Sequence, residues 1–138
     1  MPAHDCIEHI SPLSFAQTVQ RLAQAIAEAG MQLFAVIDHA ANAREAGLAM
    51  PPSTVLLYGK AAGGTPIMLA SPRSALDLPL RVLVREEAGG QTIVSFHPIT
   101  PVLMAADVPP ALAARLEPAQ ALLLTALNPP SDPRSTGA

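Results

Sequence analysis

"LPLRVLVREEAGGQTIVSF", Leu78 to Phe96, is the stretch that decides how this chain folds. Leu80, Val82 and Val84 alternate with Arg81, Leu83 and Arg85, the period-two pattern of a strand with one buried face. Gly89-Gly90 interrupts the run, and "TIVSF" resumes it, so the chain reverses at the glycines and forms an antiparallel hairpin. Glu86-Glu87, beside the turn, read as a solvated edge that discourages further strand pairing.

Working outward, "STVLLYG" (Ser53 to Gly59) reads as a second short strand. "MQLFAVID" (Met31 to Asp38) is apolar almost throughout, which predicts a central strand covered on both faces. "HDCIEHI" alternates weakly and reads as a strand leading into a helix. That helix is "SFAQTVQRLAQAIAEAGM". Ser14 and Gln17 form a capping-box pattern, Phe15, Val19, Leu22, Ile26 and Ala29 make one apolar stripe, and Gly30 is placed to end it. In "IDHAANAREAG", Asp38 and Gly47 read as the start and stop of a short helix. "KAAGGTPIMLAS" reads as a glycine-rich turn and then an apolar turn of helix, with Thr65 as cap and Pro66 at its first position. "DVPPALAARLEPAQALLLTAL" is helical in composition, with a stripe of Leu112, Leu116, Ala119, Leu123 and Leu127 that Pro118 should kink or divide. These elements predict a small single α+β domain over residues 1–127, an antiparallel sheet packed by helices on one face. "NPPSDPRSTGA", residues 128–138, has no core-forming residues and is expected to be a disordered tail.

Composition narrows the function. The 138 residues suit one domain. Only 14% are charged, against a usual share of about 25%. A surface so poor in charge suggests apolar area covered by a second copy, a homodimer. The net charge of −3 and eight scattered basic residues argue against nucleic acid, which needs clustered Lys and Arg. With four aromatics in the chain, stacking platforms for single strands are missing too. The single cysteine, Cys6, allows no internal disulfide and suits a reducing compartment. "MPAHDCIEHISPL" lacks the basic start and apolar core of a signal peptide. The longest uncharged stretch, Ala88 to Ala106, is broken by glycines and prolines, so no membrane span is expected. A cytoplasmic location follows as the expectation.

Several residues have a claim to chemistry. Asp38 is accounted for as a helix cap, whereas His39 beside it could serve as a general base or ligand contact. "GKAAGGTP", Gly59 to Pro66, could present backbone N–H groups to an anion, with Thr65 adding a hydroxyl. It has neither the Walker A order nor a GxGxxG spacing. Lys60, the only lysine, is easy to test but not thereby important. His4, Cys6 and His9 are metal-capable, yet strand alternation places His9 on the opposite face from the other two. No second cluster supports a closed site, so no metal is assigned and the segment reads as an edge strand with a half-buried thiol. Ser53, Ser71, Ser74 and Ser95 lack a nucleophile-elbow context. Met50 and Met68 flank the proposed cleft and suit core filling.

From Ser14 to Phe96, about 60% of the chain, the order of motifs resembles the DUF302 family. The pieces that carry the resemblance are the apolar strand running into "DHAANAREAGL", the strand ending in Gly59, "GTPIM" and "DLPLRVLV". The resemblance implies an antiparallel sheet with helices in a small α+β fold that tends to be dimeric, and it implies no activity. The chain departs from the family pattern in two places. Gly59-Lys60-Ala61 stands where glycine, asparagine and proline are usual, and "SFHPITP" stands where an aromatic residue precedes an asparagine, which leaves open whether His97 replaces any contact of that asparagine. The leading expectation is therefore a small-molecule or anion binding homodimer, its cleft bounded by His39, Gly59, Gly64 and Thr65 with His97 contributing, and with no cofactor named. The alternatives are an enzyme using His39 as base with the Gly59–Thr65 turn as anion cradle, and a purely structural or partner-binding dimer.

Overall fold

The structure, a computed structural model, describes residues 6–128. At its centre is the hairpin that the alternation predicts. β4 (Leu80–Glu86) and β5 (Thr92–Phe96) run antiparallel, with Leu83 opposite Ser95 and Val84 opposite Val94. They are joined through Gly89 and Gly90, and the Glu87 N–H donates to the Gln91 carbonyl at 2.8 Å. β3 (Ser53–Gly59) pairs with the free side of β4, β2 (Gln32–Asp38) with β3, and β1 (Ile7–Ser11) with β5. The result is a five-stranded antiparallel sheet in the order β1-β5-β4-β3-β2.

One strand sits elsewhere than its sequence suggests. The apolar run of β2 predicts a central position with both faces covered, but β2 is an edge strand. Phe34 and Val36 are 45% and 53% exposed, and the pairing with β3 is interrupted by a bulge between Leu33 and Ala35. The interior place goes to β5, whose five residues are all buried although two carry hydroxyls. Hydrophobicity reports how much surface a strand would cover, not which neighbour it pairs with. β1 is the other edge, as expected, but Cys6 lies just before it and its thiol is exposed, not half-buried.

Register fixes which side chains meet. Leu56 and Tyr58 of β3, Val82 and Val84 of β4, and Val94 and Phe96 of β5 share one face. Against them pack Leu22 and Ile26 of α1 (Phe15–Glu28), Ile67 of α3 (Ala61–Ala70), and Leu123 and Leu127 of α6 (Glu117–Leu127). Each such side chain contributes about 1.5–3 kcal/mol on burial, so this one-sided layer dominates the stability. Val55, Leu57 and Leu83 point to the opposite face, stay half-buried and lie outside the core.

The helix ends follow local chemistry. The α1 capping box closes, with the Gln17 N–H donating to Ser14 Oγ at 3.2 Å and the Ser14 N–H to Gln17 Oε1 at 3.4 Å. Gly30, at φ +75°, turns the chain so that the Met31 N–H reaches the Ile26 carbonyl at 3.0 Å. Pro118 divides the C-terminal helical run as expected. It sits in the first turn of α6, where its missing N–H leaves no bond unmade, after the short α5 (Pro110–Ala113) and a 3-10 turn. α4 (Ile99–Ala105) has no counterpart in the sequence reading, because prolines at 98 and 101 mask its start. None of the described helices is long and apolar enough to cross a membrane. His4 and, from residue 129 on, the expected tail lie outside the described residues.

Candidate functional site

β3 ends at Gly59, and the chain turns through Lys60 directly into α3. This corrects the reading of "KAAGGTPIMLAS" as a turn followed by a capped helix. Thr65 and Pro66 lie inside α3, and Lys60 holds the cap position without a side-chain cap bond. The Gly63 and Gly64 N–H groups donate to the Lys60 carbonyl at 2.9 and 3.0 Å, so they are spent within the helix and cannot cradle an anion. Two glycines and a proline oppose a helix, but Ile67 is fully buried in the core, and tertiary burial overrides weak propensity.

At this end of the sheet, α3 forms one wall of a cleft of about 550 Å³. The facing walls come from Met31 in the α1–β2 turn and Phe34 of β2, from Leu78 and Pro79 ahead of β4, and from Leu116 just before α6 with Leu122 within it. Pro79 follows a cis peptide bond. Tyr58, next to Gly59 on β3, is fully buried, and its hydroxyl donates to the Ala119 carbonyl at 3.1 Å, which ties the α6 wall to the sheet. Burial pushes the Tyr58 phenol well above its ordinary range, so it acts as a neutral donor throughout the physiological range.

The lining is apolar apart from Thr65 and two cations, Lys60 and Arg115. Arg21, Arg73 and Arg85 each pair with an acid, whereas the two cleft cations, like Arg44 and Arg81, make no ion pair among the described residues. Among the described residues, no carboxylate lines the cleft.

The structure brings together three of the residues singled out from sequence. Gly59, Gly64 and Thr65 all line the cleft, and so does Met68. His39 is not among them. Gln32 pairs with Gly59 at the cleft end of the sheet and Asp38 pairs with Thr54 at the other end. Six residues of strand, about 20 Å, therefore separate His39 from Gly59. At that far end Asp38 Oδ1 accepts the Ala41 N–H at 2.8 Å, capping the seven-residue α2 (His39–Glu45), which stops before Gly47 at φ +80°. His39 itself is exposed, and the base and cradle of the enzyme alternative lie at opposite ends of the sheet.

His97 lines a second hollow, of about 400 Å³, with Asp77, Arg81 and Gln120, and Leu80 is the one residue that lines both. The buried Gln120 amide holds the chain there, donating to the His97 carbonyl at 2.9 Å and accepting the Ile99 N–H at 3.0 Å. Met50 is exposed and away from the cleft. His9 meets Asn128 at 3.4 Å. Among the described residues no three His, Cys, Asp or Glu side chains cluster as metal ligands would.

Sequence reasoning missed most of the cleft. Met31, Phe34, Arg115, Leu116 and Leu122 come from segments far apart in the chain, and no local pattern announces that α1's end faces α6's start. Lys60 stands inside the quoted motif, but being the only lysine gives it no signal of importance in the sequence.

The family profile described as "Domain of unknown function DUF302" matches residues 7–128. The chain is 38% identical over 78 residues to "Fluoride-specific ion channel FluC 1" of Brucella suis biovar 1 (strain 1330). It is equally identical over the same length to "Fluoride-specific ion channel FluC 1" of Brucella abortus biovar 1 (strain 9-941). These matches cover 56% of this chain but only 31% and 29% of the two Brucella proteins, so the chain spans less than a third of either. Among solved structures, an uncharacterized conserved protein DUF302 from Bacillus stearothermophilus superposes with a TM-score of 0.77, covering 89% of this chain and 95% of the other. At 17% identity that likeness is one of fold.

Proposed function

Since this chain belongs to the DUF302 family, a domain of unknown function, we propose from its own geometry that it is a binding domain for an apolar small molecule. The observation that carries the reading is the cleft. At about 550 Å³ it falls within the range of about 300–1,000 Å³ typical of small-molecule sites, and it has the apolar walls and few polar groups of such sites. Fluoride, in the Brucella relatives' printed names, is not carried over. A bare halide is held by hydrogen-bond donors or cations close around it, and an apolar cleft of this size suits an organic body.

The test uses methionines already in place. Met31 and Met68 line the cleft, whereas Met50 and Met104 do not. With methionine methyls labelled by carbon-13, the chain is titrated with 1-octanol, octanoate and octylamine. Saturable shifts at Met31 and Met68, with Met50 and Met104 unmoved, support the reading. No saturable shift with any of the three sinks it.

The reading includes a homodimer. Its support is the sheet face away from the core, where Ile37, Val55 and Leu83 are neighbours across three strands and Leu57 lies alongside, all half-buried. Beyond Leu83 that face carries Ser95 and the Arg85–Glu8 ion pair, so the apolar strip runs over β2, β3 and β4, in a chain only 14% charged. Sedimentation should give a dimer mass for the native chain and a folded monomer for Leu57→Glu. A native chain that stays monomeric at high micromolar concentration counts against it.

A further inference from the structure

We propose that the ligand of the cleft is an amphipathic anion, its apolar body between α3 and α6 and its acidic head group held at the mouth by Lys60 and Arg115; this rests on reading the cleft as a binding site. Charge selection is the first ground. The chain has 11 acidic residues and 8 basic ones, yet among the described residues the charged lining of the cleft is two cations and no acid. Both cations are exposed, and neither is used by an ion pair among the described residues.

Placement is the second ground. Lys60 leaves the end of β3 and reaches across to the α1–β2 turn, where its Nζ lies 3.6 Å from the position a Cβ on Gly30 would take. Its ammonium thus stands on one lip of the cleft. Arg115 stands on another, one residue before Leu116 of the apolar wall. A neutral apolar ligand seated between them would strip water from both cations and return no hydrogen bond. A cationic head would meet like charge. A carboxylate, sulfonate or phosphate monoester offers the acceptors that an ammonium and a guanidinium lack, and Arg115 can engage two oxygens at once.

The three probes separate this proposal from the reading beneath it, because they share one apolar body and differ only in head group. Octanoate should bind about tenfold more tightly than 1-octanol, in line with two solvent-exposed charge contacts, and octylamine more weakly than either. In Lys60→Gln/Arg115→Gln, octanoate should lose its advantage over octanol. Added salt should narrow the octanoate advantage. Equal affinities for octanoate and octanol, a preference for octylamine, or an octanoate affinity unmoved in the double variant each overturn the anion assignment. In those three outcomes the methionine shifts still report an occupied cleft, so the binding reading survives. Absence of shifts with all three probes overturns both.

Discussion

Replacing both Gly63 and Gly64 by alanine tests the helical assignment of α3, the largest departure from the sequence reading on the cleft wall. A glycine in a helix interior costs about 0.8–1.0 kcal/mol relative to alanine, from backbone entropy alone. Neither position resists a methyl group. A Cβ on Gly63 would lie 3.7 Å from Leu116 Cδ2, and one on Gly64 would lie 3.8 Å from both Leu78 Cδ1 and Met68 Cε. These are ordinary van der Waals contacts, so the propensity gain should be realised in full, about 1.5–2 kcal/mol for the pair. For a chain of this length that corresponds to a rise in Tm of about 5–8 °C. Urea unfolding followed by far-ultraviolet circular dichroism measures it. If residues 61–65 were instead a turn needing glycine conformations, the double variant would lose stability, and a loss of about 1 kcal/mol or more would refute the helical assignment. The same methyls stand on the cleft wall, so the more stable protein should bind octanol more weakly.

Tyr58→Phe removes the hydroxyl that holds the Ala119 carbonyl; urea unfolding should show a loss of about 1 kcal/mol, with faster amide exchange at the start of α6. Thr92 presents a buried hydroxyl with no hydrogen-bond partner among the described residues, so Thr92→Val should leave stability unchanged or raise it by about 1 kcal/mol in the same assay. Asp38→Ala should cost about 1 kcal/mol through loss of the α2 cap, while octanol titration of the methionine methyls stays as it was. His39→Gln should leave that titration unchanged as well, because Asp38 pairs with Thr54 and not near Gly59.

Local chemistry made much of this fold legible. The alternation of Leu80, Val82 and Val84 named the buried face of β4, and Gly89-Gly90 located the reversal. Ser14 with Gln17, Gly30, Asp38 and Pro118 marked helix ends correctly. These features act over a few residues, through a hydrogen bond or a backbone angle that the neighbouring sequence decides. α3 escaped because its local signals, two glycines and a proline, were outweighed by the burial of Ile67 in a core assembled from distant elements.

The division for the site is sharper. By itself the sequence determined that Gly59, Gly64 and Thr65 belong to one neighbourhood, since a single strand end and helix carry them. Only the tertiary structure decided that His39 is excluded from it, through the antiparallel register that sends Asp38 to the far end of β3. The packing of α6 against α1 put Arg115 on the same apolar cleft as Lys60. Register and helix packing are settled by the burial of whole faces, which is a property of the assembled core and has no local signature along the chain.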